Sequence, residues 1–134
     1  MSKSDPQSPI LAGSRIVAGF PSPADDFIDK KLDLNEYLVH HPSATFFVRV
    51  EGDSMIGAGI HSGDLLIVDR SLEAMNNYII VAVVNGELTV KRLRKSRNKI
   101  CLVPENDHYP VLDVTPDMDF AVWGIVTHVI HKLI

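Results

Sequence analysis

Two short stretches of this chain carry side chains suited to bond-breaking chemistry. The first is Gly52-Asp53-Ser54-Met55-Ile56-Gly57-Ala58-Gly59, a glycine-flanked loop directly after an alternating apolar segment. Glycine permits close backbone approach and unusual dihedrals. A serine on such a loop can present its hydroxyl beside free backbone N–H groups, the arrangement of a nucleophile next to an oxyanion hole. Taken alone, the same residues describe an ordinary polar turn. The second stretch is Glu87-Leu88-Thr89-Val90-Lys91-Arg92-Leu93. A period of two places Thr89, Lys91 and Leu93 on one face, with Leu88, Val90 and Arg92 on the other. Each face then mixes apolar and charged residues, so a lysine here can stand against apolar neighbours. Desolvation lowers a lysine's pKa and makes it a usable general base for a serine. Alone, Lys91 reads as a solvated lysine at a strand edge.

The elements that must hold these residues read as β from Thr45 onward. Phe46, Val48 and Val50 alternate with Thr45, Phe47 and Arg49. Leu65-Leu66-Ile67-Val68 predicts a short buried strand. Tyr78 to Val84 and Glu87 to Arg94 flank Asn85-Gly86, a pair suited to a type I′ hairpin turn. Ile100 to Val103, Val111 to Val114, Phe120 to Val122 and Ile125 to Ile130 predict further strands. Short strands at close spacing predict a mostly β fold, a twisted sheet or partly open barrel. One or two short helices precede it. Ser22-Pro23-Ala24-Asp25 offers an N-cap and a first-turn proline. Asp33-Leu34-Asn35-Glu36 resembles a capping box, and His41-Pro42 stops any helix there. Residues 1–24 hold four of the eight prolines and few apolar side chains. They predict a flexible N-terminal arm, leaving residues 25–134 as the β domain.

Together these stretches resemble a known family. Gly19-Phe20-Pro21-Ser22-Pro23-Ala24, His41-Pro42-Ser43-Ala44-Thr45, Gly52-Asp53-Ser54-Met55-Ile56, Gly63-Asp64-Leu65-Leu66-Ile67-Val68-Asp69 and Gly86-Glu87-Leu88-Thr89-Val90-Lys91 fall in family order. They resemble the UmuD-like members of the LexA-type Ser–Lys self-cleaving peptidases, over residues 17–131. The resemblance implies Ser54 as nucleophile, Lys91 as base, and Ala18-Gly19 as the bond cut in the chain's own arm. It further implies a homodimer, stimulation by a RecA filament on single-stranded DNA, and service to a UmuC-type translesion polymerase in SOS mutagenesis. The residues agree with it: the arm can enter a cleft as an added strand, with Ile16, Val17 and Ala18 filling pockets. Met55 is expected to shape that cleft and to offer its backbone N–H to the oxyanion hole. Asn77-Tyr78 departs from the Gly-Asp usual in the family, which questions the local turn rather than the dyad. The arm is short, with eighteen residues before Gly19.

Composition bounds the alternatives. The chain has 134 residues, 46% apolar and 22% charged, with a net charge of −4. Such a balance argues against coating nucleic acid or anionic membrane through bulk charge. One cysteine makes no internal disulfide, and the longest apolar run, Ile79 to Val84, is far below the ~20 residues of a membrane span. With no secretory h-region, a cytoplasmic chain is expected. The basic run Lys91-Arg92-Arg94-Lys95-Arg97-Lys99 reads first as a solvated hairpin, and second as a DNA or acidic-partner contact. No direct sequence-specific DNA binding is expected, because nothing before residue 45 supplies a three-helix reader. His128 and His131, three apart on a strand, would face opposite ways, and no metal or cofactor is implied. Cys101 reads as a small core hydrophobe, and Trp123, Phe46 and Phe47 as core or dimer surface. Rival readings are a non-enzymatic dimeric module that regulates the polymerase, and a LexA-type repressor fragment. A signal-peptidase-like enzyme would need a membrane anchor.

Overall fold

The computed structural model describes residues 32–134, the dipeptide Ala18-Gly19, and the backbone of Ile10–Leu11 and Lys30–Lys31. The remainder of the arm and the helix start expected at Ser22 to Asp25 lie outside the described residues. The chain forms two compact units, Met1–His40 and His41–Ile134. In the first unit, β1 (Ile10–Leu11) pairs antiparallel with β2 (Lys30–Lys31). The helix α1 (Leu34–Leu38) starts where the capping pattern places it. The Asp33 carboxylate accepts from the backbone N–H groups of Asn35 (3.0 Å) and Glu36 (3.5 Å), two of the donors a helix start leaves unpaired. The helix ends at Leu38, before His41-Pro42. Pro42 instead opens a 3₁₀ turn, Pro42–Ala44, in the second unit. Ala18 and Gly19 are exposed and lie in a bend.

The second unit is a seven-stranded antiparallel sheet. Its strands are β3 (Thr45–Arg49), β4 (Leu65–Asp69), β5 (Ile79–Val84), β6 (Glu87–Ser96), β7 (Lys99–Val103), β8 (Leu112–Val114) and β9 (Phe120–Ile130). Their order is β3-β4-β9-β5-β6-β7-β8, all pairings being antiparallel. The mostly β expectation therefore holds. Among the described residues the edge strands β3 and β8 do not pair with each other, so the sheet stays open rather than closing into a barrel. No helix among these residues is long and apolar enough to cross a membrane.

Local chemistry explains the clearest elements. Asn85 and Gly86 both take positive φ (50° and 85°), as a type I′ hairpin turn requires, and Val84 pairs with Glu87. The unbroken run Ile79–Val84 becomes β5, a central strand with core on both faces. Val81 joins Met55, Ile60, Leu66 and Val68 in one buried cluster. Ile80 and Ala82 join Leu93, Leu102 and Ile125 in the other. A two-residue period sends alternate side chains to opposite faces, so a strand buried on both sides loses its polar alternation.

Strand β9, wedged between β4 and β5, is the longest element and carries two bulges. Register shifts opposite Val81/Ala82 and Ile67/Val68 leave Trp123 and Thr127 as the extra residues. Gly124 sits beside the first bulge. A Cβ there would lie 2.5 Å from Val68 Cγ1 and 3.2 Å from Arg70 Cγ. Val68 is fully buried and stiff at χ1, so it cannot yield cheaply. Gly124→Ala is therefore expected to destabilise the chain by ~1–3 kcal/mol, read as a thermal midpoint lowered by roughly 3–15 °C. An unchanged midpoint would contradict this account of the packing.

Of the three aromatic residues, Trp123 is half-buried and packs against the first core cluster, whereas the two phenylalanines are exposed. Phe46 and Phe47, on edge strand β3, are 42% and 57% exposed. The Phe46 and Trp123 rings lie 5.3 Å apart, with the Arg70 guanidinium 4.5 Å from the Trp123 centroid. Cys101 also departs from its expected role. It pairs with Asp113 across β7 and β8, and its Sγ lies 3.1 Å from Asp113 Oδ1. That hydrogen bond, then burial, pushes the thiol pKa up. Cys101 is a half-buried polar contact rather than a core hydrophobe.

Candidate active site

The connection between β3 and β4 carries Ser54, and it is tied down at several points. Met55 and Ile60, each 2% exposed, insert from it into the first core cluster. At its neck, Gly63 N–H donates to Val50 O (2.8 Å) and Val50 N–H to Asp64 O (2.9 Å). The segment after β7 holds the Ser54 turn itself. Glu105 N–H donates to Ser54 O (2.8 Å), Gly57 N–H to Glu105 O (2.8 Å), and the Asn106 side-chain amide to Asp53 O (2.9 Å). The Tyr109 hydroxyl donates to the Asp53 carboxylate. Glu105 is in turn fixed by Arg92, with Nε 2.5 Å from Oε1. Gly57 is needed for this docking, since a Cβ there would stand 2.6 Å from Glu105 O.

Lys91 reaches Ser54 from β6. Its Nζ lies 3.1 Å from Ser54 Oγ, 2.8 Å from Thr89 Oγ1 and 3.1 Å from Val90 O. Thr89 and Lys91 share a face, as the period of two requires. All three acceptors are uncharged, and among the described residues no carboxylate pairs with Lys91. Burial therefore acts unopposed and lowers the lysine pKa. An ammonium would fill the three acceptors with three N–H donors. After loss of one proton, Thr89 and Val90 can keep their donors while the lone pair turns to the serine hydroxyl. The arrangement can thus accept a proton from Ser54 Oγ.

Both residues open on a cleft of about 400 Å³, lined by Val48, Val50, Met55, Leu88, Thr89 and Val90 among others. Among the described residues, the backbone N–H groups of Ser54 and Met55 find no acceptor. They are available to an oxyanion formed beside Ser54. The Met55 side chain closes the cleft floor from the core side. Ala18 and Gly19 belong to the first unit and are described only as an exposed bend.

Several contributors escaped the sequence reading. Thr89, Glu105, Asn106 and Tyr109 act through contacts 2 to 56 residues distant along the chain, and only Thr89 is near enough in sequence to Lys91 to have been signalled. Asn77, in the place where the family pattern has glycine, adopts φ 73°. Asparagine is among the side chains that tolerate this region, so the turn survives the departure. Its N–H donates to Leu93 O, and Leu93 N–H donates to Tyr78 O (2.8 Å each), which seats the strand carrying Lys91. In the basic run, Arg94, Lys95, Arg97 and Lys99 are exposed on the β6–β7 hairpin, as the solvated reading expected, while Lys91 and Arg92 are half-buried. Lys91 lines the cleft, Arg92 pairs with Glu105, Lys95 Nζ donates to Ala74 O (2.9 Å), and Lys99 stands 3.6 Å from Asp113.

Comparison with known proteins agrees with the geometry. A family model described as Peptidase S24-like matches residues 9–127. The chain is 51% identical over 115 residues to protein MucA of Salmonella typhimurium, covering 85% of this chain and 78% of that protein. It is 48% identical over 122 residues to protein SamA of Salmonella typhimurium strain LT2, covering 91% and 84%. It is 41% identical over 125 residues to LexA repressor 1 of Xanthomonas campestris pv. campestris, covering 92% of this chain and 60% of the repressor. A serine and a half-buried lysine in contact, on an open antiparallel sheet, and relatives of this identity lead to one conclusion: the chain belongs to the peptidase S24-like family, among the UmuD-like, LexA-type self-cleaving serine peptidases.

Proposed function

We propose that this chain cuts its own arm between Ala18 and Gly19, with Ser54 as nucleophile and Lys91 as general base. The observation that carries the reading is the 3.1 Å contact between Lys91 Nζ and Ser54 Oγ, made by a lysine with only neutral partners. Ser54 Oγ attacks the Ala18 carbonyl carbon as its proton passes to Lys91. The Ser54 and Met55 N–H groups receive the oxyanion. Lys91 then returns the proton to the Gly19 amine, which leaves, and water attacks the acyl-serine to release Ala18 as a carboxylate. Residues 1–24 serve as the arm that is cut and residues 25–134 as the peptidase domain. Tethering the substrate to the enzyme replaces affinity for it.

The trimmed chain, on this reading, acts as a cytoplasmic homodimer that serves a UmuC-type translesion polymerase in SOS mutagenesis. A RecA filament on single-stranded DNA favours the cleavable state. N-terminal sequencing of the product formed with RecA, nucleotide and single-stranded DNA tests the site. The product is expected to begin at Gly19, and any other first residue would overturn the assignment. Co-purification of the trimmed chain with the polymerase tests the partner.

A further inference from the structure

Outside the catalytic cleft, three side chains with metal-ligating atoms converge where β4 begins and β9 ends. Leu65 pairs with Ile130, so Asp64, just before β4, meets His131, just after β9. His61 comes from the same connection that carries Ser54. Asp64 is 2% exposed, and its Oδ1 lies 2.5 Å from His131 Nδ1. Its Oδ2 accepts the His61 backbone N–H at 2.8 Å and stands 3.8 Å from His61 Nδ1. The two imidazole rings face each other with centroids 4.8 Å apart. One ligand atom from each residue falls within 4.8 Å of the other two.

We propose that His61, Asp64 and His131 form a binding site for a divalent transition metal ion, with Zn²⁺ as the occupant. Zinc bonds to imidazole nitrogen and carboxylate oxygen are about 2.0–2.2 Å long, so tetrahedral ligand atoms stand roughly 3.3 Å apart. The three groups here bracket that spacing, and rotation of two half-exposed rings closes the difference. Two imidazoles and one carboxylate favour zinc and its neighbours over magnesium or calcium, which prefer all-oxygen sets. The carboxylate is already oriented by the His61 N–H, the kind of outer contact that holds a ligand in place. Both rings reach solvent, which gives the ion a path in and leaves a fourth position for water. Bound there, the ion would staple the connection bearing Ser54 to the C-terminal end of the sheet.

The test uses metal-stripped full-length chain with Ser54→Ala, so that no cleavage intervenes. Calorimetric titration with Zn²⁺ is expected to show one ion per chain. Co²⁺ in its place is expected to give the visible absorption of a four-coordinate site, and Mg²⁺ in excess should not compete. His61→Ala and His131→Ala should each weaken Zn²⁺ binding by about tenfold or more. Absence of saturable Zn²⁺ binding would overturn the proposal. So would unchanged affinity in the doubly substituted His61→Ala/His131→Ala chain, since the ion would then sit elsewhere. Should that chain fail to fold, His61→Ala alone decides the matter, because its ring is half exposed and outside the core.

Discussion

Ser54→Ala is expected to leave the chain intact under conditions in which the parent yields a product starting at Gly19. Removal of a nucleophile leaves only positioning and oxyanion contacts, so the loss should be roughly 10⁴-fold or more. Lys91→Met should cost less, about 10²–10⁴-fold, the usual contribution of a general base. Lys91→Arg separates a base from a mere positive charge. Guanidinium stays protonated at any accessible pH and has no lone pair to offer, so this variant should be as inactive as Lys91→Met. Cleavage by Lys91→Arg at near-parental rate would remove the lysine from the mechanism. Thermal denaturation guards against a trivial loss. The Ser54 turn is held by Glu105, Asn106 and Tyr109 through Asp53 and backbone groups, none of which needs the serine hydroxyl. Ser54→Ala should therefore melt close to the parent.

The spontaneous cleavage rate should climb with pH and then level off. Below its folded pKa, Lys91 is an ammonium and cannot take the serine proton. Each pH unit then raises the competent fraction about tenfold, until the lysine is half deprotonated. Burial moves that point below the ordinary lysine range, so the plateau should arrive earlier than for a solvated lysine. The same shift sets the sign for stability. Between the folded and the ordinary pKa, the unfolded chain binds more protons than the folded one. Stability due to this group therefore rises with pH across that window. Faster cleavage at high pH thus cannot be ascribed to loosening through Lys91. Cleavage rates followed by gel or mass spectrometry from neutral pH upward provide the measurement. A flat or falling profile would argue against lysine as the base.

The two members of the proposed dyad stood out in the sequence for different reasons. Ser54 stands out through its flanking glycines, of which Gly52 and Gly59 take positive φ (95° and 80°). Lys91 stands out only beside the matching runs of the resemblance, because a lysine on a strand is ordinary. The hairpin at Asn85-Gly86 and the cap at Asp33 were equally legible, since each rests on a rule satisfied within four residues. Cys101 was misread because its apolar neighbours suggested the core, while its partner Asp113 lies on another strand. The basic run followed its first reading, a solvated hairpin, for Arg94, Lys95, Arg97 and Lys99, which are exposed. The distant partner Glu105 of Arg92 and the cleft position of Lys91 were set only once the strands paired.

The buried carboxylates make the point most clearly. Nothing local announces that Asp64 and Asp69 are 2% and 5% exposed. Burial alone would push their carboxyls up. The His61 N–H and His131 for Asp64, and Ser71 and His41 for Asp69, more than offset it and hold both pKa values below the usual range. Those partners arrive from 2 to 67 residues away along the chain.

By itself, the sequence determined the β character, the tight turns and the acidic helix cap, and through family resemblance it singled out Ser54 and Lys91, the dyad we propose. These depend on side-chain period, on the sign of φ and on short runs of residue types. The tertiary structure alone decided that β9 lies between β4 and β5, that its bulges fall at Trp123 and Thr127, and that the segment at Glu105 to Tyr109 clamps the Ser54 turn. It also decided that Lys91 meets only neutral acceptors. Such features follow from which strands pair and in what register, a choice made by the whole buried core rather than by any local stretch.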